Sequence, residues 1–163
     1  MDPTTDAEQA GVTPFASIEA LQERLIGVRL PVGSYHITAH EAWLAADATL
    51  VTPHPEIAHP LFAYIAGICG MGWDLDHLFT QMDSSSQDGP MFGELSVEQQ
   101  RPLRVGETLV VTGEVTEVVR KQGSVGQFDL MTLTLGLSGE DGEVAAVVTN
   151  RFVFPRWRSA SGD

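Results

Sequence analysis

Apolar and polar positions follow a helical period in the first half of the chain and a strand period in the second. Over Ser17–Val28, Ile18, Leu21, Leu25 and Ile26 recur at helical spacing. Ser17 is placed to cap that helix, and Glu19 and Glu23 suit its N-terminal half. Gly27 and the run Arg29 to Gly33 end it, and residues 34–38 read as a short strand. Thr38-Ala-His-Glu41 has the form of a capping box and opens a second helix through Ala46. Residues 47–60 form a linker carrying Pro53, Pro55 and Pro60, the last suited to a first helical turn. From Leu61 to Met82 nearly every face is apolar, which predicts one long buried helix. Gly67, Gly70 and Gly72 lie within it, each costing about 1 kcal/mol relative to Ala. A close approach of another backbone, such as an enclosing curved sheet, would account for them.

The period then changes. Residues 83–90 form a polar loop, 91–101 a strand, and Pro102 to Glu107 a turn. Residues 108–119, 127–137 and 143–154 alternate as half-buried strands do, with Leu109, Val111 and Val115, then Leu133, Leu135 and Leu137, then Val144, Ala146, Val148, Phe152 and Phe154 on one face. Gly123-Ser-Val-Gly126 and Gly139-Glu-Asp-Gly142 supply hairpin turns. An apparent phase shift at Leu130-Met131 predicts a bulge. Helices followed by antiparallel strands define an α+β class. The expected organisation is an acidic disordered tail over 1–14, one domain over 15–156 and a second tail over 157–163.

Composition narrows the function classes. The chain has 163 residues, 43% of them hydrophobic, enough for one domain with a substantial core. Its net charge of −13 disfavours nucleic acid and anionic membrane as partners. No apolar run reaches the ~18 residues of a membrane span. The acidic start lacks a signal-peptide pattern, so the expected location is cytoplasmic. The lone Cys69, inside the apolar helix, reads as a small buried hydrophobe and not as a nucleophile.

Three segments carry a family resemblance. Ile57-Ala-His-Pro-Leu-Phe62 resembles the signature that starts the central helix of MaoC-like hotdog proteins. Gly93-Glu94, followed by Arg101-Pro-Leu-Arg-Val-Gly-Glu-Thr-Leu109, resembles the H-G-x-Q…R-P-L-x-x-G-D-T-L run of dehydratase domains, with Phe92 in place of the His and Glu107 in place of the Asp. The ending GEDGEVAAVVTNRFVF is similar to the family's last hairpin. The resemblance implies a hotdog fold, in which an antiparallel sheet wraps a long central helix. It also implies acyl thioesters as substrates, hydration of enoyl thioesters or dehydration of 3-hydroxyacyl thioesters as chemistry, and dimers as the working form. No cofactor or metal is implied.

Active members carry a D-x-N-P-x-H motif upstream of the central helix, whose His is the general base. This chain departs there: Asp47-Ala-Thr-Leu-Val-Thr-Pro-His54 holds an Asp and a His at the wrong separation. His54 and His59 are the candidates for a displaced acid–base pair, but with no partner at proper spacing they read first as a loop residue and a helix-start residue. Asp74 is a third catalytic candidate, because other hotdog branches place a carboxylate on or near the central helix; Asp76 and His77 beside it give a D-x-D-H run that would otherwise be a polar helix exit. Glu94 reads as an acid or as an edge-strand surface residue. Tyr64 and Gly67 on the helix, with Arg101 and Arg104, are the implied substrate-binding residues; Arg101, Arg104, Arg120 and Lys121 are contacts for a coenzyme A tail or, equally, a solvated rim. The leading expectation is a subunit that binds acyl-CoA or another acyl thioester and pairs, as a homodimer or heterodimer, with a subunit supplying the dyad. A self-sufficient hydro-lyase or thioesterase with relocated residues is the alternative, followed by a non-catalytic module for a hydrophobic ligand.

Overall fold

The computed structural model describes residues 15–156. Both expected tails, 1–14 and 157–163, lie outside the described residues. The first helix, α1 (Ile18–Leu25), starts where Ser17 Oγ accepts the Ala20 N–H at 3.2 Å, and buries Leu21 and Leu25. Strand β1 (Gly33–His36) follows. Helix α2 (Ala39–Ala48) opens on the capping box that its sequence predicts. The Glu41 carboxylate accepts from the Thr38 N–H and hydroxyl, and Thr38 Oγ1 accepts the Glu41 N–H.

The apolar segment 61–82 is two helices where the sequence predicts one. Helix α3 (Leu61–Gly70) ends at an extended Met71, and α4 (Leu75–Gln81) begins afresh with Asp74 as its N-cap. Tertiary packing makes the break. A Cβ at Gly72 would lie 2.0 Å from the Pro31 carbonyl oxygen, so the chain turns here against the segment leading into β1. Gly70 has the same function on α3: its Cβ would meet Val111 Cγ2 at 2.7 Å and the Ser34 backbone at 3.2 Å. Gly70→Leu is therefore expected to overpack this crossing and cost about 1–3 kcal/mol. A thermal melt unchanged from wild type contradicts that packing.

Strands β2 (Met91–Gln99), β3 (Thr108–Gln122), β4 (Gln127–Gly139) and β5 (Val144–Pro155) complete one antiparallel sheet in the order β1-β3-β4-β5-β2. The two glycine turns join β3 to β4 and β4 to β5 as the sequence predicts; Gly142, at φ +84°, takes the left-handed conformation its turn requires. The expected bulge at Leu130-Met131 is displaced. Strand β4 keeps phase there, and the register shift falls in β3 between Val115 and Glu117. Asp129, Met131, Leu133, Leu135 and Leu137 consequently share the inner face of β4.

Helix α3 crosses that inner face and buries one side only: Phe62, Ala63, Ala66, Gly67 and Gly70. A helix apolar all round is here half-covered. Leu61 stays 40% exposed, Tyr64, Ile65 and Ile68 are half-buried, and Cys69 is exposed, contrary to the expected buried thiol. Strand β2, at the sheet edge, is exposed along its whole length. Among the described residues no helix is long and apolar enough to cross a membrane.

Candidate functional site

Where α3 and α4 meet the β2 edge, the gap between helix layer and sheet opens into an apolar cavity of about 220 Å³. Tyr64 and Ile68 come from α3, Leu75 and Phe79 from α4, Met91 and Phe92 from β2, and Phe152 from β5. The rings interlock edge to face, with Tyr64–Phe92 centroids 5.6 Å apart and Phe92–Phe152 centroids 5.4 Å apart. Tyr64 lines this cavity. Gly67 instead faces the sheet, where a Cβ would touch Leu135 Cδ1 at 3.2 Å, so it permits helix–sheet contact. A larger depression of about 550 Å³ on the outer face of the sheet, lined by Arg29, Thr112, Glu114 and Thr134, is shallow and open.

The histidines serve as backbone caps. His54 Nδ1 accepts the Glu56 and Ile57 N–H groups at 3.1 and 3.0 Å. His59 Nδ1 accepts the Leu61 N–H at 3.1 Å, at the start of α3. A neutral imidazole whose Nδ1 accepts carries its proton on Nε2. Each ring can then donate from Nε2, and neither has a free lone pair for a general base. His54 borders two pockets of about 310 and 160 Å³ between α2 and the 51–60 segment, and His59 borders the smaller one. Asp74 Oδ1 accepts the His77 N–H at 2.7 Å as the N-cap of α4. No hydrogen bond or ion pair joins His54, His59 and Asp74 to one another among the described residues. The sequence signal at Asp74 was a cap, with Asp76 in the first turn beside it. Glu94 lies on the outer face and pairs with Arg151 Nη1 at 2.8 Å across β2 and β5.

Of the arginines expected to meet a coenzyme A tail, Arg101 and Arg120 are engaged by carboxylates. Arg101 forms a bidentate ion pair with Glu107 and approaches Glu143 at 3.2 Å. Arg104 is exposed, on the rim of a groove that also holds Glu107, Glu140, Asp141 and Glu143. Carboxylates outnumber guanidiniums there, which suits a phosphate poorly. Arg120 is bound to Asp129. Hydrogen bonding to Glu107 raises the Arg101 pKa, as Asp129 does for Arg120. Burial alone would push Glu107 up, but the hydrogen bonds from Arg101 and the Arg104 N–H, with both positive charges, hold it below the ordinary 4.5. Tyr35 is pushed up to about 12 by burial and by its hydrogen bond to Glu41.

The lowered Glu107 pKa makes a prediction about acid stability. A carboxylate with a depressed folded-state pKa contributes stability that is complete above its unfolded pKa, ~4.3, and lost as pH falls through the lower folded value. Glu107→Gln is expected to melt below wild type at neutral pH, with the two melting temperatures converging in acid below about pH 4. A gap that stays constant with pH contradicts the assignment.

Helical segments laid across the inner face of a β1-β3-β4-β5-β2 antiparallel sheet define a hotdog fold, and comparison with solved structures agrees. The chain superimposes on the ChsH1–ChsH2 complex from Mycobacterium tuberculosis with a TM-score of 0.64 at 14% identity, covering 88% of this chain and 92% of that one. It matches the truncated HadBC (3R-hydroxyacyl-ACP dehydratase) complex from the same organism with a TM-score of 0.62 at 14% identity, covering 79% and 96%. The (R)-hydratase from A. caviae involved in PHA biosynthesis gives 0.50 at 18% identity, covering 80% and 96%. The family model for the FAS1-like dehydratase domain region matches residues 57–148, more than half of the chain. The chain belongs to that family. No curated protein matches it.

Proposed function

We propose that this protein is a subunit of an enoyl-thioester hydratase or 3-hydroxyacyl-thioester dehydratase that binds the acyl group and pairs with a second hotdog chain supplying the base. Family membership supports the reaction class. One observation carries the pairing: an apolar surface left open where a hotdog fold has its free sheet edge. On β2 the inner-face residues Phe92, Leu95 and Val97 are 44%, 41% and 38% exposed, and the uncovered side of α3 adjoins them through the Tyr64–Phe92 contact. A free edge of this kind is a template for strand pairing. A second hotdog chain offers both a matching strand and a helix to lie beside α3. Two of the similar structures are complexes of paired chains, HadBC and ChsH1–ChsH2. The aromatic cavity opens at the same edge and accommodates the apolar end of an acyl group.

The test is the size of the protein in solution. Sedimentation at micromolar concentration is expected to give a dimer, either of this chain or with a hotdog chain encoded beside it. Leu95→Arg, which adds a charge to the open strand without touching the core, should shift that dimer to monomer. A wild-type protein that stays monomeric, alone and with its neighbour, contradicts the proposal.

A further inference from the structure

The charges along the open strand bear on which chain it accepts. Strand β2 is a sheet edge, and its two rows differ in chemistry. The inner row carries Phe92, Leu95 and Val97, with Leu95 opposite the buried Asn150 of β5 and Val97 opposite the buried Val148. The outer row carries Glu94, Ser96 and Glu98, all exposed. Arg151 on β5 holds Glu94 at 2.8 Å. The Glu98 carboxylate has no ion pair or hydrogen bond among the described residues. Neither β2 nor β5 holds another basic residue. The edge therefore offers an apolar row for burial and, beside it, an acidic row with one uncompensated charge.

A second copy of this chain fits that strand badly. Copies related by a two-fold axis would pair β2 antiparallel with itself. Outer residues must then face outer residues, since a one-residue slip turns the apolar row to solvent. Centred on Ser96, the pairing sets Glu94 of each strand against Glu98 of the other. Centred on Glu94 or Glu98, it sets that glutamate against its own copy. Centred on Leu95 or Val97, it leaves glutamates on the diagonals, about 7–8 Å apart. Like charges directly opposite are destabilising in a sheet. The net charge of −13 on each chain adds to the repulsion. We propose that the β2 edge selects a hotdog chain of opposite charge and disfavours a copy of this one. The strand it accepts is apolar on its inner row and carries lysine or arginine at two outer positions four residues apart, one meeting Glu98 and the other Glu94. The proposal rests on the pairing reading above and narrows it from any second hotdog chain to a different chain with a basic edge.

The experiment is sedimentation of the full chain at low ionic strength, with the Glu94→Lys/Glu98→Lys double variant of the same chain as the basic-edged probe. Both substituted side chains are exposed. Wild type and the double variant are each expected to stay monomeric at micromolar concentrations at which their one-to-one mixture is a dimer. The mixed dimer should be about tenfold or more tighter than either self-association, and should weaken as salt rises to ~1 M. Glu98→Lys alone leaves the Glu94–Arg151 pair intact and makes the strand self-complementary. It should dimerise about tenfold or more tightly than wild type, and it carries the test if the double variant fails to fold. A wild-type homodimer as tight as the mixed one overturns the proposal; if Leu95→Arg dissolves that homodimer, pairing at β2 stands. A mixture that stays monomeric, or a Glu98→Lys protein no more associated than wild type, overturns it too. The pairing reading falls on a different result, a wild type that stays monomeric with a D-x-N-P-x-H hotdog chain as well.

Discussion

Asp129→Ala is expected to cost about 3–5 kcal/mol. Asp129 is fully buried on the inner face of β4, between two arginines. Arg120 donates to it from Nε at 2.7 Å and from Nη2 at 3.0 Å, and Arg156 donates from Nε at 2.6 Å. The arginines extend the tie outward. Arg120 Nη2 reaches the Ala16 carbonyl at 3.0 Å, and Arg156 Nη2 reaches the Met82 carbonyl at the end of α4 at 2.7 Å. The Arg156 guanidinium also lies 4.9 Å from the centre of the Phe15 ring. One carboxylate therefore holds together the segment before α1, the end of α4, β3, β4 and the end of β5. Removing it leaves two guanidiniums, one of them 2% exposed, without their counter-charge. Against a typical domain stability of about 5–15 kcal/mol, that loss is a large fraction of the whole. Urea unfolding of Asp129→Ala measures it directly; a midpoint equal to wild type contradicts the network.

The second large effect concerns turnover. The isolated chain is expected to hydrate crotonyl-CoA about 10²–10⁴-fold more slowly than a hotdog hydratase with its base in place. The physical reason is the state of the two histidines nearest the start of α3. Each presents a proton on Nε2 and commits its Nδ1 lone pair to backbone N–H groups. Abstracting a proton would require either ring to give up its cap and turn over. Alanine at His54 or His59 is accordingly expected to alter loop stability and leave the residual rate unchanged. A steady-state assay of the wild-type chain and both variants checks this, and a rate that collapses in either variant places the base on that histidine.

Local signals in the sequence were legible where local chemistry decides the structure. The Thr38–Glu41 capping box, the Ser17 cap and the glycine hairpins at 123–126 and 139–142 each follow from residues adjacent in the chain, and each is present. The hotdog architecture came from three motifs in order. What failed depended on distant contacts. The break between α3 and α4 is set by Pro31 meeting Gly72, a contact that periodicity cannot reveal. Cys69 is exposed because the sheet covers one side of α3, whereas an all-round apolar pattern reads as full burial. The two buried polar residues were visible in principle. Asp129 keeps phase with Met131 and Leu133, because β4 carries no bulge at Leu130-Met131. Asn150 occupies the one gap in the Ala146–Phe154 apolar alternation. A polar residue in core phase was the signal in both cases. Whether a cation is free to bind phosphate depends on which carboxylates the fold brings to it, as Glu107 and Glu143 are brought to Arg101.

The most direct test of the central claim is reconstitution. This chain is titrated with a candidate hotdog partner that carries the D-x-N-P-x-H motif, and enoyl-CoA hydration is followed at each ratio. Negligible turnover is expected from this chain alone, with turnover rising to a plateau at one-to-one stoichiometry and that plateau lost with Leu95→Arg. Full turnover by this chain without a partner, unaffected by Leu95→Arg, contradicts that claim.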